Sequence, residues 1–119
     1  MTGIGVDVVS MTELRSTLDN AGDTFLRRVF APEELAAIPD GPLRLRHVAS
    51  RFAAKEAVFK CLRATWSPDA SFADIVVTQG PRGAPEVTLR GSFAAYGASD
   101  IVVSLSTAGD TAVAVALQA

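Results

Sequence analysis

Apolar positions at the start of the chain alternate with glycine or polar ones. Residues 1–10 place Ile4, Val6 and Val8 on one side and Gly3, Gly5, Asp7 and Val9 on the other, a period of two that predicts a strand. Ser10 followed by Glu13 has capping-box spacing and predicts a helix over residues 11–20, with Gly22 placed to end it. Asp23 then caps a short helix carrying Phe25, Leu26, Arg27, Arg28 and Phe30, and Pro32 opens another over residues 32–38. Pro-Asp-Gly-Pro at 39–42 breaks the chain. The longest uninterrupted helical pattern follows, from residue 43 to about 64, and Ser67-Pro68-Asp69 closes it. Beyond that the period changes. Residues 73–79, 86–90, 101–106 and 111–117 are β-rich runs between glycine-bearing turns, with a short helix expected at 92–98. One strand, then helices, then strands predicts an α+β domain with a mainly antiparallel sheet packed against one long and several short helices.

Composition narrows the function classes. The chain has 119 residues, 49% of them hydrophobic, enough for one domain over 1–119 with a real core. No apolar run approaches the ~20 residues of a membrane span, and no basic stretch precedes an apolar run at the amino terminus; a soluble, cytoplasmic protein is expected. Cys61, the single cysteine, excludes an internal disulfide framework and a multi-cysteine zinc site. A net charge of −2 argues against a general nucleic-acid or anionic-membrane binder. Only two of the 11 basic side chains are lysines, Lys55 and Lys60, and both fall on the long helix.

That helix carries the candidate chemistry. At about 100° per residue, Leu45, Val48, Ala49, Phe52 and Phe59 form one apolar stripe, and Glu56 lies in its middle. A partly buried carboxylate there needs a cation or hydrogen bonds. Lys60, one turn away, or Arg63, two turns away, would make it a plain ion pair; the other reading is a metal ligand or catalytic base. Arg44, His47, Arg51 and Lys55 advance at three- and four-residue spacings into a basic ridge, suited either to solvent or to several phosphates. Asp7, mid-strand on a face of glycines, is the other anomaly. Two interior carboxylates beside phosphate-sized basic groups suggest a hard cation such as Mg²⁺, although Asp7 pairing with an arginine is an equal structural alternative.

Three strings carry a resemblance. Gly3-Ile-Gly-Val-Asp-Val-Val9, Phe25-Leu-Arg-Arg-Val-Phe-Ala-Pro-Glu-Glu34 and above all Arg51-Phe-Ala-Ala-Lys-Glu-Ala57 with Lys60 are similar to the small holo-acyl-carrier-protein synthases, the short 4′-phosphopantetheinyl transferases. Val103-Ser-Leu-Ser106 and Ala112-Val-Ala-Val115 also fit, so the match spans nearly the whole chain. The resemblance implies transfer of phosphopantetheine from coenzyme A to a serine of an apo acyl carrier protein, releasing adenosine 3′,5′-bisphosphate. It implies Mg²⁺ on Asp7 and Glu56, with Lys60 close to the reacting groups and catalytic beside them. Arg44, Arg51, Lys55, Lys60 and Thr107 become coenzyme A contacts, and Arg15, Arg27 and Arg28 candidates for carrier-protein docking. It also implies a homotrimer with active sites at subunit interfaces. Lys60, Glu56 or a metal-activated water would take the serine proton.

Two departures stand out. The family's Ser-Leu-Ser-His reads Ser104-Leu-Ser-Thr107 here, and its glycine-rich turn after the long helix is replaced by Lys60-Cys-Leu-Arg-Ala-Thr-Trp-Ser-Pro68. Cys61 is expected as a packed core side chain. Thr107 keeps open a rival reading, a carrier-binding relative that has lost or changed the transfer chemistry.

Overall fold

The computed structural model describes residues 3–97 and 101–119. Residues 1–2 of the expected first strand and Ala98 of the expected 92–98 helix lie outside them. The element order is β1 (Gly3–Ser10), α1 (Met11–Val29), α2 (Pro32–Ala36), α3 (Arg44–Cys61), β2 (Ile75–Gln79), β3 (Pro85–Leu89), β4 (Ile101–Ala108) and β5 (Thr111–Gln118). Short 3₁₀ turns stand at Gly41–Leu43, Phe72–Asp74 and Gly91–Tyr96, the last where a short helix was expected. The architecture is α+β, as the pattern predicts, and every strand pair is antiparallel. The strands divide between two sheets, however: β1-β5-β4 in one and the β2-β3 hairpin in the other.

Two boundaries differ for physical reasons. Gly22 does not end α1; the helix kinks at Ala21 (φ −151°, ψ 38°) and runs on to Val29, because Leu14, Leu26 and Val29 on both sides of the kink are buried in one core. α3 stops at Cys61, six residues before Ser67, and Arg63 takes a left-handed conformation (φ 54°) that turns the chain away. Ser10 accepts from the Glu13 amide at 3.2 Å, the expected cap. Asp110, from the β4–β5 turn, completes it by accepting from the Thr12 amide at 3.0 Å and the Thr12 hydroxyl at 2.8 Å.

α3 lies between the two sheets. Towards the three-stranded sheet both surfaces are small: Ala53, Ala57 and Cys61 on the helix face Gly3, Gly5, Ala112, Ala114 and Ala116, all buried. A Cβ at Gly3 would overlap the Cys61 carbonyl oxygen, and one at Gly5 the Ala57 carbonyl oxygen. The apolar row Ile4, Val6 and Val8 therefore faces outward, 70%, 54% and 62% exposed. In register beside it stand Leu117, Val115 and Val113 of β5. No helix among the described residues is long and apolar enough to cross a membrane.

The opposite flank of α3 holds a buried ion pair. Lys55 Nζ, on a fully buried side chain, donates to Glu34 Oε1 at 2.6 Å, to the Ile75 carbonyl at 2.6 Å and to the Phe72 carbonyl at 2.9 Å. Glu34 in turn accepts from the Ala31 amide at 2.8 Å and the Val77 amide at 2.9 Å. All three ammonium protons are used, and four segments are tied at one point. Burial pulls the Lys55 pKa down, against the upward pull of Glu34. Removing one partner leaves the other charge uncompensated in the core. Lys55→Met is expected to lose about 3–5 kcal/mol of unfolding free energy, and Lys55→Met combined with Glu34→Gln less than the sum of the two, as read by urea denaturation.

Candidate functional site

The close approach of β1 to α3 sets a carboxylate from each element side by side. Asp7 lies on the glycine face of β1, and Glu56 and Lys60 lie one helical turn apart on α3. Lys60 Nζ donates to Asp7 Oδ1 at 2.9 Å and to the Val6 carbonyl at 3.1 Å. The Asp7 side chain is 11% exposed and that of Lys60 52%. Glu56 is half-buried; desolvation pushes its pKa up, the neighbouring Asp7 charge adds to the rise, and Lys60 opposes it. The hydrogen bond to Asp7 raises the Lys60 pKa.

Both carboxylates open into a cleft of about 230 Å³. Phe25 and Phe52 wall it, with ring centroids 5.4 Å apart in edge-to-face contact. Ser10, Glu13 and Thr17 supply the polar side. Glu13 entered the sequence reading only as a helix cap; its place on the cleft follows from α1 starting directly after Asp7's strand. Among the described residues no three His, Cys, Asp or Glu side chains cluster as a metal site. Two hard oxygen donors facing a solvent-open cleft nevertheless suit Mg²⁺, which takes one or two carboxylates and keeps water or phosphate in its other positions.

The other predicted residues are dispersed in a single chain. Lys55 requires a correction: its ammonium is consumed inside the protein and is not presented to any ligand cleft. The basic ridge is therefore interrupted, since Lys55 lies seven residues from both Val48 and Leu62 on the buried side of α3. Arg51 is half-buried in a separate cleft of about 90 Å³ with His47 and Glu33, and desolvation lowers its pKa and that of His47. Arg44, twelve residues and about 18 Å along the helix from Glu56, shares a cleft of about 420 Å³ with Arg15, Asp19 and Asp23. Thr107 sits on β4 opposite Ala112, two strands or about 10 Å across from β1. Arg27 and Arg28 are exposed at the end of α1. Arg28 borders an apolar groove of about 360 Å³ with Phe25, Phe52, Trp66 and Phe72. Trp66, from the unusual segment after α3, stacks on Phe59 with centroids 4.8 Å apart. Cys61 is buried, and burial raises its thiol pKa.

The raised Glu56 pKa has a stability consequence. The folded protein holds this proton more tightly than the unfolded chain, so stability falls as pH rises from the ordinary glutamate value through the raised one. Glu56→Gln removes that loss. Its melting temperature is expected to match wild type at about pH 4 and to exceed it at about pH 7, measured by thermal denaturation followed by circular dichroism without metal.

Comparison with known proteins identifies the family. The model of the 4′-phosphopantetheinyl transferase superfamily matches residues 3–116. A holo-[acyl-carrier-protein] synthase of Desulforudis audaxviator is 41% identical, over 97% of this chain and 90% of its own length. The crystal structure of the Neisseria meningitidis synthase superposes with a TM-score of 0.85 at 30% identity, covering 97% of this chain and 95% of that one. The Helicobacter pylori synthase, solved in complex with coenzyme A, gives 0.83 at 29% identity, covering 95% of this chain and 96% of that one. A match over nearly the full chain, on a fold that sets Asp7 against Glu56, means that the chain belongs to the 4′-phosphopantetheinyl transferase superfamily, among its holo-acyl-carrier-protein synthases.

Proposed function

We propose that the chain transfers 4′-phosphopantetheine from coenzyme A to a serine of an apo acyl carrier protein in the cytoplasm, in an Mg²⁺-dependent reaction that releases adenosine 3′,5′-bisphosphate. The observation that carries this reading is the meeting of Asp7 and Glu56 at one open cleft, with Lys60 hydrogen-bonded to Asp7 beside it. Its support from relatives is the synthase family itself and the coenzyme A complex of the Helicobacter pylori protein. In the reaction the serine oxygen forms a bond to the β-phosphorus, and the bond from that phosphorus to the bisphosphate oxygen breaks. Asp7 and Glu56 would hold Mg²⁺, which supplies charge neutralisation on the pyrophosphate.

The chain's own residues divide the remaining work. Lys60, whose pKa is raised, stays protonated and serves as a phosphate-binding cation rather than a base. Glu56, its carboxyl pKa pushed up by burial, or a metal-activated water would accept the serine proton. Arg27 and Arg28 offer exposed cations to an acidic carrier surface. Phe25 and Phe52 narrow the approach to the carboxylates.

Assembly accounts for the dispersed residues. We propose a homotrimer in which the outer face of β1-β5-β4 is covered by neighbouring copies. Burying an exposed aliphatic side chain completely is worth about 1.5–3 kcal/mol, and Ile4, Val6, Val8, Val102 and Leu117 lie on that one face. Arg44, Arg51 and Thr107, remote from Asp7 within one chain, would complete a coenzyme A site that lies between subunits.

Incubation with coenzyme A, Mg²⁺ and apo carrier protein, followed by intact mass, is expected to show one phosphopantetheine adduct. Asp7→Asn and Glu56→Gln should each slow transfer at least about 100-fold. A protein that binds carrier but leaves no adduct on any carrier tried would overturn the reading. In sedimentation the wild type should run as a trimer and Val6→Asp as a monomer with little activity; a wild-type monomer at full activity would sink the assembly.

A further inference from the structure

Asp7 and Glu56 already have a counter-ion, and it belongs to the protein. Lys60 Nζ reaches Asp7 Oδ1 at 2.9 Å, on the carboxylate that faces Glu56. Its second acceptor, the Val6 carbonyl at 3.1 Å, lies on the same strand. The two residues differ in their freedom to move. Asp7 is fixed mid-strand and 11% exposed, whereas Lys60 is 52% exposed and hangs on a flexible four-carbon stem. Among the described residues its ammonium donates only to these two acceptors, so only its tip is held.

This arrangement sets a competition, given the proposed metal site on Asp7 and Glu56. A divalent cation drawing on Asp7 would meet an ammonium on one of the same oxygens. Two cations at such separation repel strongly at any dielectric short of bulk water. We propose that Lys60 is a resident counter-ion of the carboxylate pair, which a divalent cation must displace in order to bind. In the metal-free protein Lys60 limits the repulsion between Asp7 and Glu56. On displacement its ammonium is released beside Asp7 on the solvent-exposed side, where an anionic phosphate is its natural partner. Metal alone then binds weakly, because it must strand a cation. Metal with a phosphate-bearing substrate binds well, because the released cation is paired. By linkage, each of the two ligands tightens the other through this one side chain.

The test uses the full chain with Mn²⁺ alone, without coenzyme A, and reads free Mn²⁺ by electron paramagnetic resonance. Lys60→Gln is expected to bind Mn²⁺ more tightly than wild type, on the order of tenfold, while transferring phosphopantetheine more slowly. Lys60→Arg keeps the charge and should stay near wild type. Glu56→Gln should weaken Mn²⁺ binding. A gain in affinity on losing an active-site side chain is not what a merely structural role produces. If Glu56→Gln weakens binding but Lys60→Gln brings no gain, this inference is overturned while the metal assignment stands. If Glu56→Gln leaves Mn²⁺ affinity unchanged, the metal assignment falls and the inference with it.

Discussion

The contact between β1 and α3 is the constraint on which the rest depends. Their separation is set by backbone against backbone: the α carbons of Gly3 and Gly5 against the carbonyl oxygens of Cys61 and Ala57. Any side chain at those two strand positions would force the elements apart. Asp7 is one residue pair further along the same face, so its reach to the Glu56–Lys60 turn is inherited from that spacing. Alanines at 112, 114 and 116 continue the thin layer across β5. Fold and candidate site are in this sense one decision: a thicker interface would set Asp7 and Glu56 further apart.

The second anchor works by charge instead of closeness. Lys55 and Glu34 join α3 to α2, to the start of β2 and to the Phe72 turn. Phe72 meets both Phe52 and Phe59 edge-on, and Phe52 walls the carboxylate cleft. The buried ammonium thus acts on the site at one remove, through the aromatic packing behind it. Consecutive residues of one helix, Lys55 and Glu56, face the buried ion pair and the candidate site respectively, because adjacent helix positions point about 100° apart.

Local patterns made much of this legible before any coordinates. Period-two alternation identified β1, capping identified the start of α1, and helical spacing identified α3. Asp7 and Glu56 stand out because each breaks the pattern around it, and the structure brings both to one cleft. Lys55 was misjudged because the helix wheel was read with one wet face, whereas α3 is clasped on both flanks. Its spacing of seven from Val48 was the available signal. Partners distant in sequence were beyond local reading: Glu34 lies 21 residues from Lys55, and Asp110 lies 98 from Thr12. The continuation of α1 past Gly22 was hidden for a related reason, since tertiary burial of Leu26 and Val29 outweighs glycine's weak helix propensity.

The segment after α3 brings a further property. Trp66 is the only tryptophan in the chain, 55% exposed and stacked on the Phe59 ring. Phe59 neighbours Lys60 in sequence, and Trp66 shares its groove with the two phenylalanines that wall the carboxylate cleft. The protein's entire indole emission therefore originates at one position beside the candidate site. The chain is its own optical reporter, with a signal that arises from a single, known place.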